Sequence, residues 1–434
     1  HEGDFYEGVR VMSRLHQELG LTYRNPPLRD VLAPAWSNRG QGSRWTKESM
    51  LAELPRLKEL GIRWIHMGDP WQDNLGDYGF NPEKFRDAAE LKGFIRRLND
   101  EGFHVTAFYC DLLVDVRSRI ARDHPEYFIR DERGELRRCA HFGQIHYILC
   151  PAYAPARDFE RQAALKLARE WGFEGVKNDG RAMALPCFSR DHAHAYPEQA
   201  VEDYPLLQQA VYKAFQEVHP NTFVVAFCYD GVVPYFYHHP FTTRPWPNAD
   251  QLSVKQARWK QKLFKAIFGP TRVLLDDHSD AKYLSGVRGN WYQGPVSGLA
   301  MGSVLETVSD SSYDMTGRHY PEIFKAYHLE RLPDGGEYDN LYSVIHDVPE
   351  AHVVRKGNQL YYGFFAEAHA GPVELRGLRD GVTYDVRDYL HDRPFPPVTA
   401  SGTTAVLDLR FEAYQLLVLT PRPSAPHRPT TAPR

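Results

Sequence analysis

The sequence predicts an α/β protein, a (β/α)8 TIM barrel followed by an antiparallel β-sandwich, and three observations carry that prediction. Between residues 31 and 310, short apolar runs of β type alternate eight times with stretches of helical spacing. Most of these runs end in an acidic residue, and strand ends are where such a barrel keeps its chemistry. From about residue 338 the rhythm changes to short alternating runs separated by Gly, Asp and Pro turns. A chain of 434 residues exceeds one core of ordinary size and suits a large barrel with a smaller module attached.

The first run, 31–38, leads to a helix opened by Thr46, whose hydroxyl can cap it, while Glu48 suits the positive helix end. Leu51, Leu54, Leu57 and Leu60 share one face, and Gly61 stops the helix. The second run, 62–69 (IRWIHMGD), ends in Asp69, and a helix spans about 82–100. The third, 104–114, holds Asp111; a helix at about 155–172 precedes the fourth, 175–179, which ends in Asp179. A helix at about 199–219 precedes the fifth, 223–230, ending in Asp230. The sixth is placed at 250–254 with its helix at 256–268, which leaves Asp250 in the loop feeding that run. Residues 271–280 and 302–310 complete the series with Asp276, Asp277 and Asp310.

The chain therefore divides into a lead-in segment (1–30), the barrel (31–335), the β-sandwich (336–421) and a Pro-rich tail (422–434) expected to be disordered. The lead-in helix, about 4–19, has no evident partner in the sequence. That helix suggests an upstream domain, and the opening on His1 rather than Met is compatible with either a removed signal peptide or more of the protein before it.

Composition excludes several classes. The 52 basic and 56 acidic residues give a net charge of −4 with no block of one sign, so no broad grip on nucleic acid or anionic lipid is expected. No apolar run approaches the ~20 residues that span a bilayer. Five cysteines (Cys110, Cys139, Cys150, Cys187 and Cys228) show no C-x-x-C spacing and no His pair set for zinc, so neither a metal nor a disulfide framework is expected. Phosphate-cradling, zinc-protease and esterase motifs are absent, and no cofactor is expected. The 8 Trp, 25 Tyr and 23 Phe suit sugar platforms, although a large core also consumes aromatics.

The most informative stretch is 171–181, WGFEGVKNDGR. A strand buried on both faces should be uniformly apolar, yet here Lys177 and Asp179 stand two apart and leave the same face. A cation beside the acid keeps the carboxylate ionised, as a nucleophile at an anomeric carbon requires; the alternative is a structural Lys–Asp pair at a barrel rim. A second acid must then supply the proton, and Asp250 and Asp230 both qualify on position. Asp276-Asp277-His278 could bind sugar hydroxyls or simply order a loop, and Tyr235-Phe236-Tyr237-His238-His239 reads as an aromatic loop rather than a metal site.

These motifs resemble those of the α-galactosidases and α-N-acetylgalactosaminidases, glycoside hydrolase families 27 and 36, over residues 1–420. GIRWIHMGDPW (61–71) resembles their second-strand motif ending in two acids and a Trp, and Trp36 in LAPAWSN resembles their first-strand Trp. Phe108-Tyr109-Cys110-Asp111 resembles their third-strand Tyr-x-Asp, and His124-Pro125-Glu126-Tyr127 their H-P-D/E-W segment. GFEGVKNDG matches their K-x-D motif, whose final acid is the nucleophile. WPNAD resembles the segment around the acid/base, which selects Asp250. The resemblance implies a retaining glycosidase for α-linked, galactose-like sugars, with Asp179 and Asp250 catalytic. Substrate contacts then fall to Trp36, Asp69, Trp71, Tyr109, Asp111, Lys177, Arg181, Cys228, Asp230, Arg244 and Trp246.

Two departures bear on specificity. The first of the paired second-strand acids is replaced by Gly68, and the Cys-x-Gly segment reads Cys228-Tyr229-Asp230-Gly231. No segment within these 434 residues resembles the large N-terminal sandwich of family 36. The expected partner is an oligosaccharide or glycoside substrate; a homo-oligomer is compatible with the sequence, and the cytoplasm is favoured over secretion. A transglycosylase of the raffinose-synthase type and a non-catalytic sugar-binding barrel are the competing readings.

Overall fold

A computed structural model describes residues 5–19, 30–38, 44–141, 143–178, 185–227, 244–246, 254–276, 293–308 and 320–423. It opens on helix α1 (Phe5–Glu18), strand β1 (Ala35–Ser37), α2 (Lys47–Glu59), β2 (Trp64–Met67), α3 (Ala88–Asp100) and β3 (His104–Tyr109). Thr46 caps α2 by accepting the Ser49 N–H at 3.1 Å, with the Ser49 hydroxyl returning the bond. Asp87 caps α3, which buries Leu91, Phe94, Ile95 and Leu98 at helical spacing.

An insertion not foreseen from the sequence follows. Strands β4 (Leu113–Asp115), β5 (Arg138–His141) and β6 (Gln144–Ile148), with the short helix α4 (Arg119–Asp123), form a separate three-stranded antiparallel sheet. The predicted third run therefore ends at Tyr109, and its last residues belong to this second sheet. The alternation resumes with α5 (Ala154–Lys166), β7 (Gly175–Asn178), α6 (Gln199–Glu202), α7 (Tyr204–Val218) and β8 (Phe223–Phe227). It continues through β9 (Arg244–Trp246), α8 (Val254–Phe268), β10 (Leu275–Asp276), α9 (Gln293–Ala300), β11 (Val304–Val308) and α10 (Tyr320–Glu330).

The sixth parallel strand is Arg244–Trp246 rather than 250–254, and Val254 already opens α8. Pro245 hides that strand from a sequence reading, because proline cannot donate to a ladder. It is tolerated here at the end of the described strand order, where β9 pairs with β8 alone.

Eight parallel strands form one sheet in the order β10-β11-β1-β2-β3-β7-β8-β9. Its curvature follows from two contacts. Lys177 on β7 and Glu306 on β11 are four strand spacings apart, roughly 19 Å on a flat sheet, yet their charged atoms meet at 2.6 Å. The Phe223 ring on β8 lies 4.5 Å from that of Trp64 on β2, tilted by 31° and three spacings away. The sheet therefore curls around a concave interior. Among the described residues no pairing joins its two ends, β10 and β9.

The C-terminal module is one six-stranded antiparallel sheet, not two stacked ones. It comprises β12 (Glu337–Asp339), β13 (Glu350–Lys356), β14 (Gln359–Arg376), β15 (Thr383–Asp388), β16 (Arg393–Thr399) and β17 (Thr404–Pro421). Strands β14 and β17 pair along their length, with a register shift between Ala366 and Ala368. The Tyr362 hydroxyl donates to the Arg376 carbonyl at 2.6 Å, fourteen residues along the same strand. Only a strand folded back at its bulge can close that contact, so a single sheet wraps its own core of Tyr362, Phe364, Leu375, Leu407 and Leu417.

Helix α8 joins the modules. Arg258 makes a bidentate pair with Glu350 at 2.9 and 2.8 Å, touches the Ser297 hydroxyl at 3.1 Å and lies 3.9 Å over the Phe365 ring. Helix α1, which had no evident partner in the sequence, packs on the same helix: Tyr6 lies 4.3 Å from the Lys262 ammonium, and Val9 adjoins Phe264 and Phe268.

Burial alone would push the Glu350 carboxyl up, but Arg258 and His352 more than offset it and bring it down to about 2. Its stabilisation is present above the ordinary glutamate value of 4.5 and is lost as pH falls through about 2. Arg258→Met should cost about 3–5 kcal/mol at neutral pH by stranding a buried carboxylate. The penalty should shrink on acidification, and a second change, Glu350→Leu, should recover much of it. Urea unfolding of the three variants checks this; a pH-independent loss would contradict the charge account.

Candidate active site

Alternation along the strands decides what faces the concave interior. Its floor is apolar, built from Ala35, Trp64, Phe223, Val225, Val273, Leu275 and Val304. Above the floor lies a polar layer. Lys177 donates to Glu306 Oε1 at 2.6 Å, His66 Nε2 lies 3.6 Å from Glu306 Oε2, and His66 Nδ1 contacts the Thr106 hydroxyl. All four residues are buried, with Lys177 only 5% exposed. The glycine preceding this lysine in the strand has its own cause. A Cβ on Gly175 would stand 1.9 Å from the Phe223 carbonyl oxygen, so only glycine lets β8 pair here.

At the carboxyl end of β2, the Gly68 N–H donates to Asn38 Oδ1 at 2.6 Å, and the exposed Asp69 accepts from Gln72 at 3.0 Å. Beside them Asp111, only 2% exposed, accepts from the Tyr204 hydroxyl at 3.0 and 3.1 Å, and its own N–H donates to Asn178 Oδ1 at 3.3 Å. Burial pushes its carboxyl up to about 6, against hydrogen bonds from Tyr204, Asn178 and Gln208. Asn178 is the last residue of β7, so this network holds the end of that strand against α7.

Three residues read from the sequence as sugar platforms occupy a different layer. Trp36 is fully buried among Met50, Leu54 and Ile65, between the sheet and its helices. The Trp71 indole donates to the Phe108 carbonyl at 3.0 Å and meets Phe173 edge-on at 4.8 Å. The Tyr109 hydroxyl bonds Glu160, and its ring stacks on Tyr78 at 5.3 Å. Trp36 and Tyr109 stand at odd positions relative to the inward-facing Ser37 and Thr106, which turns them outward. Asp111 likewise has its oxygens engaged by protein groups. In the described residues all four side chains are thus buried against protein groups.

Of the other sequence-predicted residues, Asp69 and Lys177 stand at the strand ends and in the polar layer. Asp179, Arg181, Cys228, Asp230 and Asp250 lie outside the described residues, as do Asp277 and Asp310; Arg244 and Trp246 are described only as strand backbone. Missed were His66, Thr106 and Glu306. The argument that singled out Lys177 applies equally to Glu306, a lone acid inside the apolar run SVLETV. Also missed was a cluster away from these strand ends: Cys150, Cys187, His192 and His194 bring their ligand atoms within 4.8 Å of one another. It is the one grouping with metal-holding geometry among the described residues. Cys187, His192 and His194 lie within eight residues of one another, but the fourth member, Cys150, is remote in sequence, so no complete ligand set shows as a spacing motif.

No family model matches the chain. In an alignment of 439 positions that covers 96% of the chain, it is 29% identical to an A type blood α-D-galactosamine galactosaminidase of Flavonifractor plautii. The chain spans 38% of that protein. Among solved structures it is similar to the galactosidase domain of an α-galactosidase–sucrose kinase, at TM-score 0.71 and 16% identity, covering 95% of this chain and 58% of that one. It is also similar to a family 36 α-galactosidase variant of Geobacillus stearothermophilus in complex with raffinose, at TM-score 0.66 and 16% identity, covering 95% and 59%. The resemblance to α-galactosidases and galactosaminidases read from the motifs thus extends over nearly the whole chain.

The raised Asp111 pKa has a measurable consequence. A carboxyl held above its unfolded value of 3.8 stabilises the fold in its protonated form, and that contribution is lost as pH rises through about 6. Asp111→Asn keeps the shape without the charge. The stability of wild type relative to this variant should therefore drop by about 2.5 kcal/mol between pH 4 and pH 7. Urea unfolding across that range tests it, and a constant difference would show that Asp111 does not titrate as its burial demands.

Proposed function

We propose that this chain carries the catalytic barrel of a retaining glycoside hydrolase that cleaves α-linked sugars of the galactose type. In this reading the curled sheet closes into a (β/α)8 barrel over 31–335, and residues 336–421 form its accessory β-module. Asp179 attacks the anomeric carbon while Asp250 gives its proton to the leaving oxygen. The resulting glycosyl ester is opened by water, from which the Asp250 carboxylate takes a proton, and Asp179 is released. Such pairs work at about 5–5.5 Å. The observation that carries the reading is Lys177, inward-facing and braced by Glu306 one residue before β7 ends. Strand alternation continued by two residues supports Asp179 on the same face, where the lysine's charge favours an ionised nucleophile.

The named activity of the Flavonifractor plautii relative supports a terminal α-D-galactosamine or α-galactoside as the substrate. Gly68, where the related enzymes carry an acid, supports a pocket with room for a substituted sugar. Arg181, Cys228, Asp230, Arg244 and Trp246 complete the proposed subsite by resemblance.

Aryl α-galactoside, α-galactosaminide, α-N-acetylgalactosaminide and α-glucoside should separate the readings. Aryl release from a galactose-configured substrate supports hydrolysis; dominant transfer products would indicate a transglycosylase, and binding without release a sugar-binding barrel. Asp179→Ala should lower turnover by several orders of magnitude and be rescued by azide. Asp250→Ala should harm poor leaving groups far more than activated aryl ones. Wild-type turnover in Asp179→Ala would sink the assignment, and equal losses in Asp250→Ala would move the proton donor to Asp230. Gly68→Asp should shift the ratio of rates toward plain α-galactosides, since an added acceptor rewards a hydroxyl. An unchanged ratio would mean that another side chain already makes that bond.

A further inference from the structure

We propose that Cys150, Cys187, His192 and His194 form a closed, four-ligand zinc site that fastens the segment after β7 to the end of β6. The geometry is that of a metal cage rather than of packed neutral side chains. All four ligand atoms lie within 4.8 Å of one another, and His192 Nδ1 is 3.3 Å from the Cys187 sulfur. A tetrahedral zinc with sulfur at about 2.3 Å and nitrogen at about 2.0–2.1 Å needs sulfur–nitrogen edges of roughly 3.5 Å, so only small adjustments close the cage.

Two independent features point to a cation. His192 Nε2 lies 2.5 Å from the Glu126 carbonyl oxygen. A carbonyl only accepts, so Nε2 carries the proton and Nδ1 turns its lone pair toward the sulfurs. Fixing a ligand imidazole through its far nitrogen is the usual outer support of a metal site. His194 Nε2 is buried with no hydrogen-bond partner among the described residues, and its ring stands nearly perpendicular to that of His192, at 82°. A buried ring nitrogen without a partner is costly, and a metal ion would satisfy it. Backbone N–H groups of Ala152 and Tyr153 approach the Cys150 sulfur, those of Arg130 and Ser189 approach the Cys187 sulfur, and the two sulfurs lie within hydrogen-bond reach of each other. Two thiolates, two neutral imidazoles and Zn2+ sum to zero charge, which a mostly buried site tolerates. A Cys150–Cys187 disulfide would leave both imidazole nitrogens unsatisfied.

The anchor points are rigid. The Cys150 N–H donates to the Tyr127 carbonyl at 2.9 Å, the Cys187 N–H to the Pro197 carbonyl at 2.9 Å, and Tyr153 stacks on His192 at 4.4 Å. With four protein ligands no position stays open, so the role is structural. The ion would staple the returning limb of the segment that leaves β7 just beyond Lys177.

The test is metal analysis of tag-free, full-length protein purified without added metal. One zinc per chain is expected, resistant to dialysis; when the site is unfolded in chelator the ion leaves and the two freed thiolates take up two protons. Cobalt replacement should give the visible bands of a tetrahedral ion and a near-ultraviolet thiolate band. Cys187→Ser should abolish the thiolate band or halve it, and His194→Ala should lower zinc occupancy and melting temperature. Should either variant fail to fold, the wild-type stoichiometry and cobalt spectrum decide alone. Wild-type protein without stoichiometric metal, cobalt without a thiolate band, or a Cys150–Cys187 disulfide in non-reduced peptides would each overturn the proposal.

Discussion

The Glu306 carboxylate, buried on the concave side of the parallel sheet, is the constraint around which the rest is arranged. Alone it would be prohibitively costly there, and so would the Lys177 ammonium; together they are tolerable only at hydrogen-bond distance. Their 2.6 Å contact ties β7 to β11 across the interior and so demands the curl that brings distant strands together. His66 and Thr106 complete the layer and separate the apolar floor from the strand ends above it. A flat sheet could neither bury this group of residues nor point several strand ends at one small volume. Curvature, polarity and the location of the candidate site are thus one physical arrangement.

Helix α8 extends the same logic to the periphery. It is a buried helix that nonetheless carries Arg258, Gln261, Lys262 and Lys265, and each has a specific partner. Arg258 pairs with Glu350, Gln261 accepts from Ser303 at 2.7 Å, Lys262 donates to the Tyr342 carbonyl at 2.5 Å and Lys265 to the Arg272 carbonyl at 2.6 Å. Buried charges of this kind fix position, because a shift of the helix would strand several of them at once. The C-terminal sheet is therefore locked to the outside of the parallel sheet rather than merely appended to it.

The aromatic residues also serve as packing elements. Their abundance suits carbohydrate platforms, yet Trp36, Trp71 and Tyr109 are used to fill the layer between strands and helices, with the Trp71 and Tyr109 polar tips hydrogen-bonded. Large rings satisfy packing in a wide α/β layer as well as they satisfy a sugar face. Strand parity decides between the two uses, and parity depends on where each strand starts.

Much of the fold was legible in the sequence because it rests on local rules. Thr46 and Asp87 start helices by capping them, Gly61 and Gly172 end them at φ values of 67° and 89°, and apolar periodicity marks the alternating elements. The Lys177–Asp179 spacing stood out for the same reason: a charge inside a buried strand violates a local expectation. What the sequence could not determine depends on contacts between residues remote in the chain. Glu306 became the lysine's partner only when the sheet curled, Arg244–Trp246 became a strand only by pairing with β8, and β14 folded over itself only because β17 followed it through the bulge. Cys150 joined the local group Cys187, His192 and His194 only in three dimensions. Capping and periodicity act within a few residues, so sequence alone settles them. Charge pairing, strand order and ligand convergence belong to the tertiary structure, which alone decides which distant groups share a desolvated space.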